Sequence, residues 1–273
     1  MLAELCFDPG FSSRPKQSSS AQSPSNRINQ RPQTNGEAGS ESCDPVRRGA
    51  NAGSPRGVLE RLHHMSATST INDPVASKAF LRLAAVGDQF ERYANPHAVR
   101  IAAIADGIAK LLHMAAEDCR SLRVAALLHD LGETTMERDY IWRPEALTEE
   151  ERIDLARHPV IGEQEASRAG ASRAAQLLVR WHHEWWNGCG YPDALRGEEI
   201  PLAARILRIA DSYAALTAGR PFRPALTIVQ ARKQIIEWAG IEFDPQVVSL
   251  FLSLDRLREL ELTVEGAKYR SPD

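Results

Sequence analysis

Cysteine is scarce in this chain, with four residues among 273 and no Cys-x-x-Cys pair. Because Cys6, Cys43, Cys119 and Cys189 lie far apart, the sequence indicates neither a disulfide framework nor a thiolate zinc site. No stretch approaches about 18 uninterrupted apolar residues, and no basic start is followed by an apolar run, so neither a membrane span nor a secretory signal is expected. These absences predict a cytoplasmic protein that does not contact the membrane.

An excess of positive charge is also missing. Lys and Arg number 33 against 36 Asp and Glu, which gives a formal net charge of −3. Polymeric nucleic acid is bound largely by neutralising phosphates, so a binder of DNA or RNA is not expected. A small anionic substrate stays compatible with this balance, because it needs only a local basic cluster.

The start of the chain is poor in large apolar residues. Among the first 60 residues, 30 are Ser, Gly, Pro, Asn or Gln, and nine are Val, Ile, Leu, Met, Phe, Trp or Tyr. Such a segment buries too little apolar surface to offset the entropy of ordering, so residues 1–72 are predicted to be a disordered tail. An alternative is that translation starts at Met65. One domain is predicted over residues 73–262, followed by a flexible tail over 263–273.

From about residue 75 the apolar pattern is helical. Ile101, Ile104, Ile108 and Leu111 recur at helical spacing and predict one inward stripe. Alternation with period two is scarce. The sequence therefore predicts an all-α fold, an orthogonal bundle of about seven helices behind the disordered tail.

Three local signals predict helix boundaries. Thr148 and Glu151 fit a capping box, so a helix is expected to begin there. That helix is expected to run to about Arg157 and to end before His158-Pro159. Gly132 is expected to end the helix that covers residues 118–130.

Several polar residues interrupt the apolar faces of these helices. His97 precedes Ile101 by four residues, and Asp211 follows Leu207 by four, so both face inward. A buried carboxylate without a partner is very costly, and imidazole and carboxylate groups together suit Fe, Mn, Zn or Ni. A single core histidine is more often hydrogen-bonded than metal-bound, but the set is large. It comprises His97, His129, Asp130, His158, His182, His183 and Asp211.

Longer motifs resemble a known family. The segments "HDLGE" at 129–133, "LTEEERIDLARHPVIGE" at 147–163 and "HHEWWNGCGYPDALRGEEIPLAARILRIADSY" at 182–213 resemble the HD-GYP family of metal-dependent phosphohydrolases. "RPFR" at 220–223 and "FDPQVV" at 243–248 continue the likeness, which covers roughly residues 80–255. The resemblance implies a helical bundle around two or three metal ions and hydrolysis of cyclic di-GMP to pGpG or GMP by metal-activated water.

The resemblance also implies roles for single residues. All seven residues of the inward set match metal ligands, and Asp130 matches a carboxylate that bridges two metals. Some family members carry Glu at the position of Tyr93 and bind three metals, so Tyr93 indicates the two-metal form. Two divalent transition-metal ions are expected, Fe or Mn foremost, with Zn or Ni as alternatives.

Outside the ligand set, the resemblance points to substrate and partner contacts. Arg220 and Arg223 are similar to residues that hold substrate phosphates. Gly190, Tyr191 and Pro192 form the Gly-Tyr-Pro element, which in the family is linked to contacts with proteins that synthesise cyclic di-GMP. Whether two copies form a homodimer is left open by the sequence.

Two positions depart from the family pattern. Glu133 stands where the family usually has Lys, and Ala214 where it usually has Asp. Asp130 and Glu133 are the candidate catalytic residues. A carboxylate at this position repels a substrate phosphate, so Glu133→Lys is expected to raise kcat/KM for cyclic di-GMP. If Glu133 is a metal ligand or a proton donor, the same change should lower activity or metal content.

Three functions therefore stay open at this point. The first is a metal-dependent phosphodiesterase acting on a cyclic dinucleotide, with cyclic di-GMP as the expected substrate. The second is a phosphohydrolase for another nucleotide. The third is a binding or scaffold protein for cyclic di-GMP with weak or no catalysis, which would need no metal.

Overall fold

The computed structural model describes residues 74–220 and 224–254. In these ranges the chain forms ten α-helices and two 3-10 helices, and no strand; a single bridge pairs Ala239 with Phe243. The all-α prediction is confirmed. Arg223 and the whole of both predicted tails lie outside the described residues.

The α-helices are labelled here in chain order. They are α1 Pro74–Phe90, α2 His97–Leu111, α3 Ala116–Leu128, α4 Leu131–Met136, α5 Glu149–Leu155, α6 His158–Arg168, α7 Arg173–Trp181, α8 Leu202–Thr217, α9 Ile228–Glu237 and α10 Pro245–Leu252. None of these ten helices is both long and apolar enough to cross a membrane.

The described residues form ten α-helices where about seven were predicted for the chain. The sequence did not indicate α1, α4 or α6. Gly132 lies inside α4 rather than at the end of α3, which stops at Leu128, so that expectation was wrong. Pro159 occupies the first turn of α6, where a backbone N–H has no helical partner and its loss costs little.

The centre of the bundle is formed by α2, which packs against α3 and α8. Ile101, Ile104 and Ile108 on α2 are almost completely buried, as predicted. Leu111, predicted on the same stripe, is 43% exposed. It is the last residue of the helix, and the chain turns away through His113, whose φ is 50°.

The capping box at the start of α5 is confirmed. The Thr148 side chain accepts a hydrogen bond from the Glu151 backbone N–H, and the Glu151 carboxylate accepts one from the Thr148 N–H. The helix ends at Leu155, two residues before the predicted Arg157. Because α6 starts three residues later, this short helix fixes where His158 enters the bundle.

A close approach between α4 and α6 explains Gly132. A β-carbon on Gly132 would lie 2.1 Å from the backbone oxygen of His158. Real β-carbons do not come so near to a backbone atom, so only glycine permits this packing. The contact holds the segment after Asp130 against the first residue of α6.

Gly132→Ala should therefore destabilise the fold by roughly 1–3 kcal/mol, the usual cost of overpacking. Urea unfolding followed by circular dichroism measures the change. Gly87→Ala is the matched control, because a β-carbon on Gly87 in α1 would meet nothing closer than 4.0 Å. The control should be neutral or more stable, since Ala favours a helix over Gly by about 1 kcal/mol. Equal stability of the two variants would contradict the packing argument.

Candidate metal centre

Most of the predicted ligand residues lie at helix ends. His97 is the first residue of α2 and His158 the first of α6. His129 and Asp130 form the joint between α3 and α4, and His182 directly follows α7. A side chain at a helix end projects beyond the helix into the space between elements. With Asp211 on α8, five separate parts of the chain therefore converge on one point.

The structure brings all seven predicted ligand residues together. Each is buried, with no more than 4% of its surface exposed. Two groups have ligand atoms within 4.8 Å of one another. They are Asp130 with His158, His182 and His183, and His97 with His129 and Asp211.

Asp130 lies between the two groups. Its Oδ1 is 3.3 Å from Nε2 of His158 and 3.5 Å from Nε2 of His182. Its Oδ2 is 3.0 Å from Nε2 of His129 in the second group. One carboxylate thus presents one oxygen to each group, which is the arrangement that a bridging ligand needs.

Three histidines are oriented through their Nδ1 atoms. Nδ1 of His129, His158 and His182 lies 3.1, 2.8 and 2.6 Å from the backbone oxygen of the residue three positions earlier. A carbonyl only accepts, so Nδ1 carries the proton in each neutral ring. This leaves Nε2 with its lone pair, which is how metal-binding histidines are commonly held.

His183 differs from these three. Its Nδ1 lies 2.8 Å from Nη1 of Arg208. Because an arginine only donates, Nδ1 of His183 is the acceptor, and the proton of the neutral ring is on Nε2. As arranged here, His183 therefore has no lone pair on Nε2, unlike His129, His158 and His182.

The orphaned atoms of the centre fit a metal. Within the described residues, no hydrogen-bond partner exists for both nitrogens of His97, Nε2 of His129, both oxygens of Asp130 and Oδ1 of Asp211. Buried polar atoms are nearly always paired, and a mixed nitrogen and oxygen donor set suits transition metals. The chain therefore has two His/Asp groups able to hold metal ions.

Charges inside the centre favour the metal-binding forms at most positions. Burial lowers the pKa of His97 to about 4, so its ring is neutral at pH 7. Burial alone would raise the pKa of Asp130, but the neighbouring His129, with His158 and His182, holds that pKa well below its usual range. Burial alone would lower the pKa of His129, but Asp130 raises it to about 10. A metal must therefore displace a proton from His129.

Arg208 and Glu242 support the centre and were not found from the sequence. Nη2 of Arg208 is 2.5 Å from the Glu242 carboxylate, and Nη1 is 3.6 Å from Asp211. Arg208 follows Ala204 by four residues and precedes Asp211 by three, so it lies on the inward face of α8. That spacing was readable in the sequence.

Arg220 lies beside the centre, and its guanidinium already contacts two other side chains. Its Nη2 is 2.8 Å from Oε2 of Glu91, and the same group donates to the Tyr93 hydroxyl. Tyr93 in turn stacks on His97, with ring centroids 3.7 Å apart. The role of Arg220 and Arg223 in holding substrate phosphate stays a prediction.

Glu91 was also missed. It follows the buried Ala84 by seven residues on α1 and the segment after it, so it continues an inward stripe. Together with Asp130 and Glu133 it forms a third group whose ligand atoms lie within 4.8 Å of one another. Glu133 is 1% exposed and lies inside the centre rather than at its rim.

A cavity opens beside His97. Its volume is about 460 Å³, and its wall includes Tyr93, His97, Arg100 and Thr227. The Arg100 guanidinium donates to the Ala214 carbonyl and to the Thr217 hydroxyl, which fixes its position. The cavity therefore lies between the group of His97, His129 and Asp211 and the positively charged Arg100 side chain in its wall.

The Gly-Tyr-Pro element packs onto His183, which belongs to the group that contains Asp130. The Tyr191 ring stacks on His183, with centroids 4.9 Å apart. A β-carbon on Gly190 would lie 2.2 Å from the Trp185 backbone nitrogen, so glycine is required there. Gly190, Tyr191 and Pro192 are half-buried, so the loop is both a wall of the centre and part of the surface.

The helical bundle buries Asp130 between two groups of side chains able to bind metal. This arrangement is that of a helical metalloprotein. The chain belongs to the HD domain family, whose sequence profile matches residues 82–247. The adjacent His129 and Asp130 lie within the matched residues.

Curated relatives extend this assignment. The chain is 36% identical over 155 residues to the cyclic di-GMP phosphodiesterase response regulator RpfG of Xanthomonas campestris pv. campestris, covering 56% of this chain and 41% of that protein. It is 30% identical over 163 residues to the 3'3'-cGAMP-specific phosphodiesterase 2 of Vibrio cholerae, covering 59% of this chain and 31% of that protein. The chain thus spans less than half the length of either relative.

A solved structure shows the same fold. The crystal structure of a cyclic GMP-AMP specific phosphodiesterase of Vibrio cholerae matches with a TM-score of 0.54 at 19% identity, covering 69% of this chain and 51% of that one. At this identity the likeness concerns the fold alone, and it confirms the predicted HD-type helical bundle. The family profile confirms the resemblance to the HD family.

Proposed function

We propose that the chain is a metal-dependent phosphodiesterase that hydrolyses a cyclic dinucleotide, with cyclic di-GMP as substrate and pGpG or GMP as product. The observation that carries this proposal is the position of Asp130, whose two oxygens face two separate groups of ligand atoms. Two adjacent metal ions suit an in-line attack on a phosphodiester, because both the entering and the leaving oxygen carry negative charge.

The side chains of this chain prepare the site for that reaction. His97, His129 and Asp211 would hold one ion, His158, His182 and His183 the other, and Asp130 would touch both. The ions would supply an activated water and neutralise charge on the phosphate oxygens. The carbonyls behind three histidines keep their Nε2 atoms aimed inward, so little reorganisation is needed when metal binds. His183 can offer the Nε2 lone pair only in its other tautomer, with the proton on Nδ1, and this requires that Arg208 shift.

The cavity beside His97 is where we place the substrate. Arg100 in its wall gives a positive charge for a phosphate oxygen, and its fixed position favours orientation of the ester. Apolar and aromatic wall residues, Tyr93 and Ile228 among them, offer contacts for a nucleobase. Recognition would thus combine phosphate charge with base contact.

The relatives favour cyclic dinucleotides over other nucleotides. The curated relatives whose names state a substrate include phosphodiesterases for cyclic di-GMP and for 3'3'-cGAMP. A scaffold without catalysis is disfavoured by the complete set of buried ligands, which would be costly to keep without metal. A hydrolase for 3'3'-cGAMP is therefore the second candidate.

Turnover decides between these functions. The full chain, reconstituted with Mn²⁺ or Fe²⁺, should convert cyclic di-GMP to a linear product that chromatography separates from the substrate. The same assay with 3'3'-cGAMP and with linear pGpG identifies the preferred substrate and the final product. Metal-loaded protein that turns over none of them would overturn the proposal.

Two further roles belong to this proposal. The half-buried Gly190-Tyr191-Pro192 loop would contact a protein that synthesises cyclic di-GMP, since it is the part of the centre that reaches the surface. A cytoplasmic location would give access to such a substrate and partner.

A further inference from the structure

A third group of buried ligand atoms lies next to the two histidine-rich groups. It consists only of carboxylates, those of Glu91, Asp130 and Glu133, with ligand atoms within 4.8 Å of one another. Glu91 directly follows α1, Asp130 lies in the joint between α3 and α4, and Glu133 lies in the first turn of α4. Three acidic side chains from two parts of the chain thus meet inside the protein.

The positive charge found near this group is not enough to balance it. Arg220 is 2.8 Å from Glu91, so one carboxylate is paired. Both oxygens of Glu133 lack a hydrogen-bond partner among the described residues. The His158 Nδ1 is 4.0 Å away and lies 2.8 Å from the Leu155 carbonyl, to which it donates. The nearest positive groups, Arg220 and His129, are paired with Glu91 and Asp130, so an ionised Glu133 would be a buried charge with only partial compensation, which is costly.

A proton on Glu133 would not satisfy the group either. A carboxylic acid carries an O–H that needs an acceptor, yet neither oxygen of Glu133 is within hydrogen-bond distance of one in the described part of the chain.

The spacing of the three carboxylates fits one cation. Oxygens around Mg²⁺ or Ca²⁺ at about 2.1–2.5 Å are separated from one another by roughly 3–5 Å. The separation of the three ligand atoms, up to 4.8 Å, falls in this range.

We propose that Glu91, Asp130 and Glu133 bind an additional divalent cation next to the two histidine-rich groups. Because all three donors are oxygens, the site should prefer a hard cation, Mn²⁺ or Mg²⁺, whereas the histidine groups accept softer metals. The role of this cation rests on the proposed function: it would add positive charge beside the reacting phosphate. Its binding does not depend on that function.

Metal content of matched variants tests the site. The full chain is stripped with a chelator, reloaded with Mn²⁺, desalted and subjected to elemental analysis. We expect three ions per chain for the wild type and two for Glu133→Gln, which keeps the shape of the side chain but removes the charge. Glu163→Gln, on α6 and paired with Arg173 and Arg180 outside the centre, is the control and should keep three.

A second substitution guards against a folding defect. Glu91→Gln should also lose one ion, and circular dichroism reports whether each variant is folded. If either folded variant keeps the wild-type number of ions, the site is overturned; if neither folds, two ions in the wild type overturn it and three support it. Turnover of cyclic di-GMP on the same wild-type sample separates the two proposals. Two ions with turnover would overturn this site alone, and three ions without turnover would overturn the function alone.

Discussion

Replacing Asp130 with alanine should remove metal and activity together. Its oxygens lie 3.0 Å from His129 and 3.3 Å from His158, in different ligand groups, so one substitution weakens both. Loss of residues that merely support ligands already costs 10–100-fold in metal affinity or activity, so loss of a shared ligand should lower turnover by more than about a hundredfold. Elemental analysis and the cyclic di-GMP assay on one sample measure both effects.

Asp106 on α2 provides a control in the same bundle. Its carboxylate pairs with Arg123 at the surface, 2.9 Å away, rather than with a residue of the centre. Asp106→Ala should keep full metal content and wild-type turnover, because exposed ion pairs contribute little. If Asp130→Ala retained the metal content of this control, the bridging assignment would be wrong.

The second large effect is expected at Arg208. Arg208→Met should destabilise the fold by about 3–5 kcal/mol, because Glu242 is then left as a buried charge without its 2.5 Å partner. Adding Glu242→Gln to Arg208→Met should recover much of that loss. Urea unfolding in the presence of a chelator measures the change without a contribution from bound metal.

The exposed pair of Arg123 and Asp106 again offers a comparison, here for the free energy of unfolding. Arg123→Met breaks the exposed contact with Asp106 and should cost less than about 1 kcal/mol. If Arg208→Met cost no more than Arg123→Met, Arg208 would not be the compensating charge. The same variant should also alter metal content, since Arg208 contacts His183 and Asp211.

Much of the centre was predictable because local spacing places side chains on helix faces. His97 was assigned inward from the spacing of Ile101 and Ile104, and the structure buries it. Asp211 followed from Leu207 in the same way. These predictions need only the period of the helix, which any amphipathic segment shows.

Other features depend on contacts between distant parts of the chain. Glu91 and Arg220 are 129 residues apart, and their pairing follows only from the packed fold. Gly132 was assigned to a helix end because glycine commonly has that place, yet here it permits the contact between α4 and α6. No local pattern distinguishes these two uses of glycine.

Glu133 shows most clearly what the sequence alone does not decide. The sequence placed it near the site and left phosphate repulsion, metal binding and proton donation open. Its burial among Glu91 and Asp130 favours metal binding. Glu133→Lys is therefore expected to lower metal content by one ion rather than to raise kcat/KM.

The central claim is that this chain holds adjacent metal ions and uses them to hydrolyse a cyclic dinucleotide. The most direct test is elemental analysis of the full chain after Mn²⁺ reconstitution, with cyclic di-GMP turnover measured on the same sample by chromatography. The account predicts at least two ions per chain and a linear product whose formation stops when a chelator is added. A chain that binds no metal, or that hydrolyses the substrate equally well with chelator present, would contradict it.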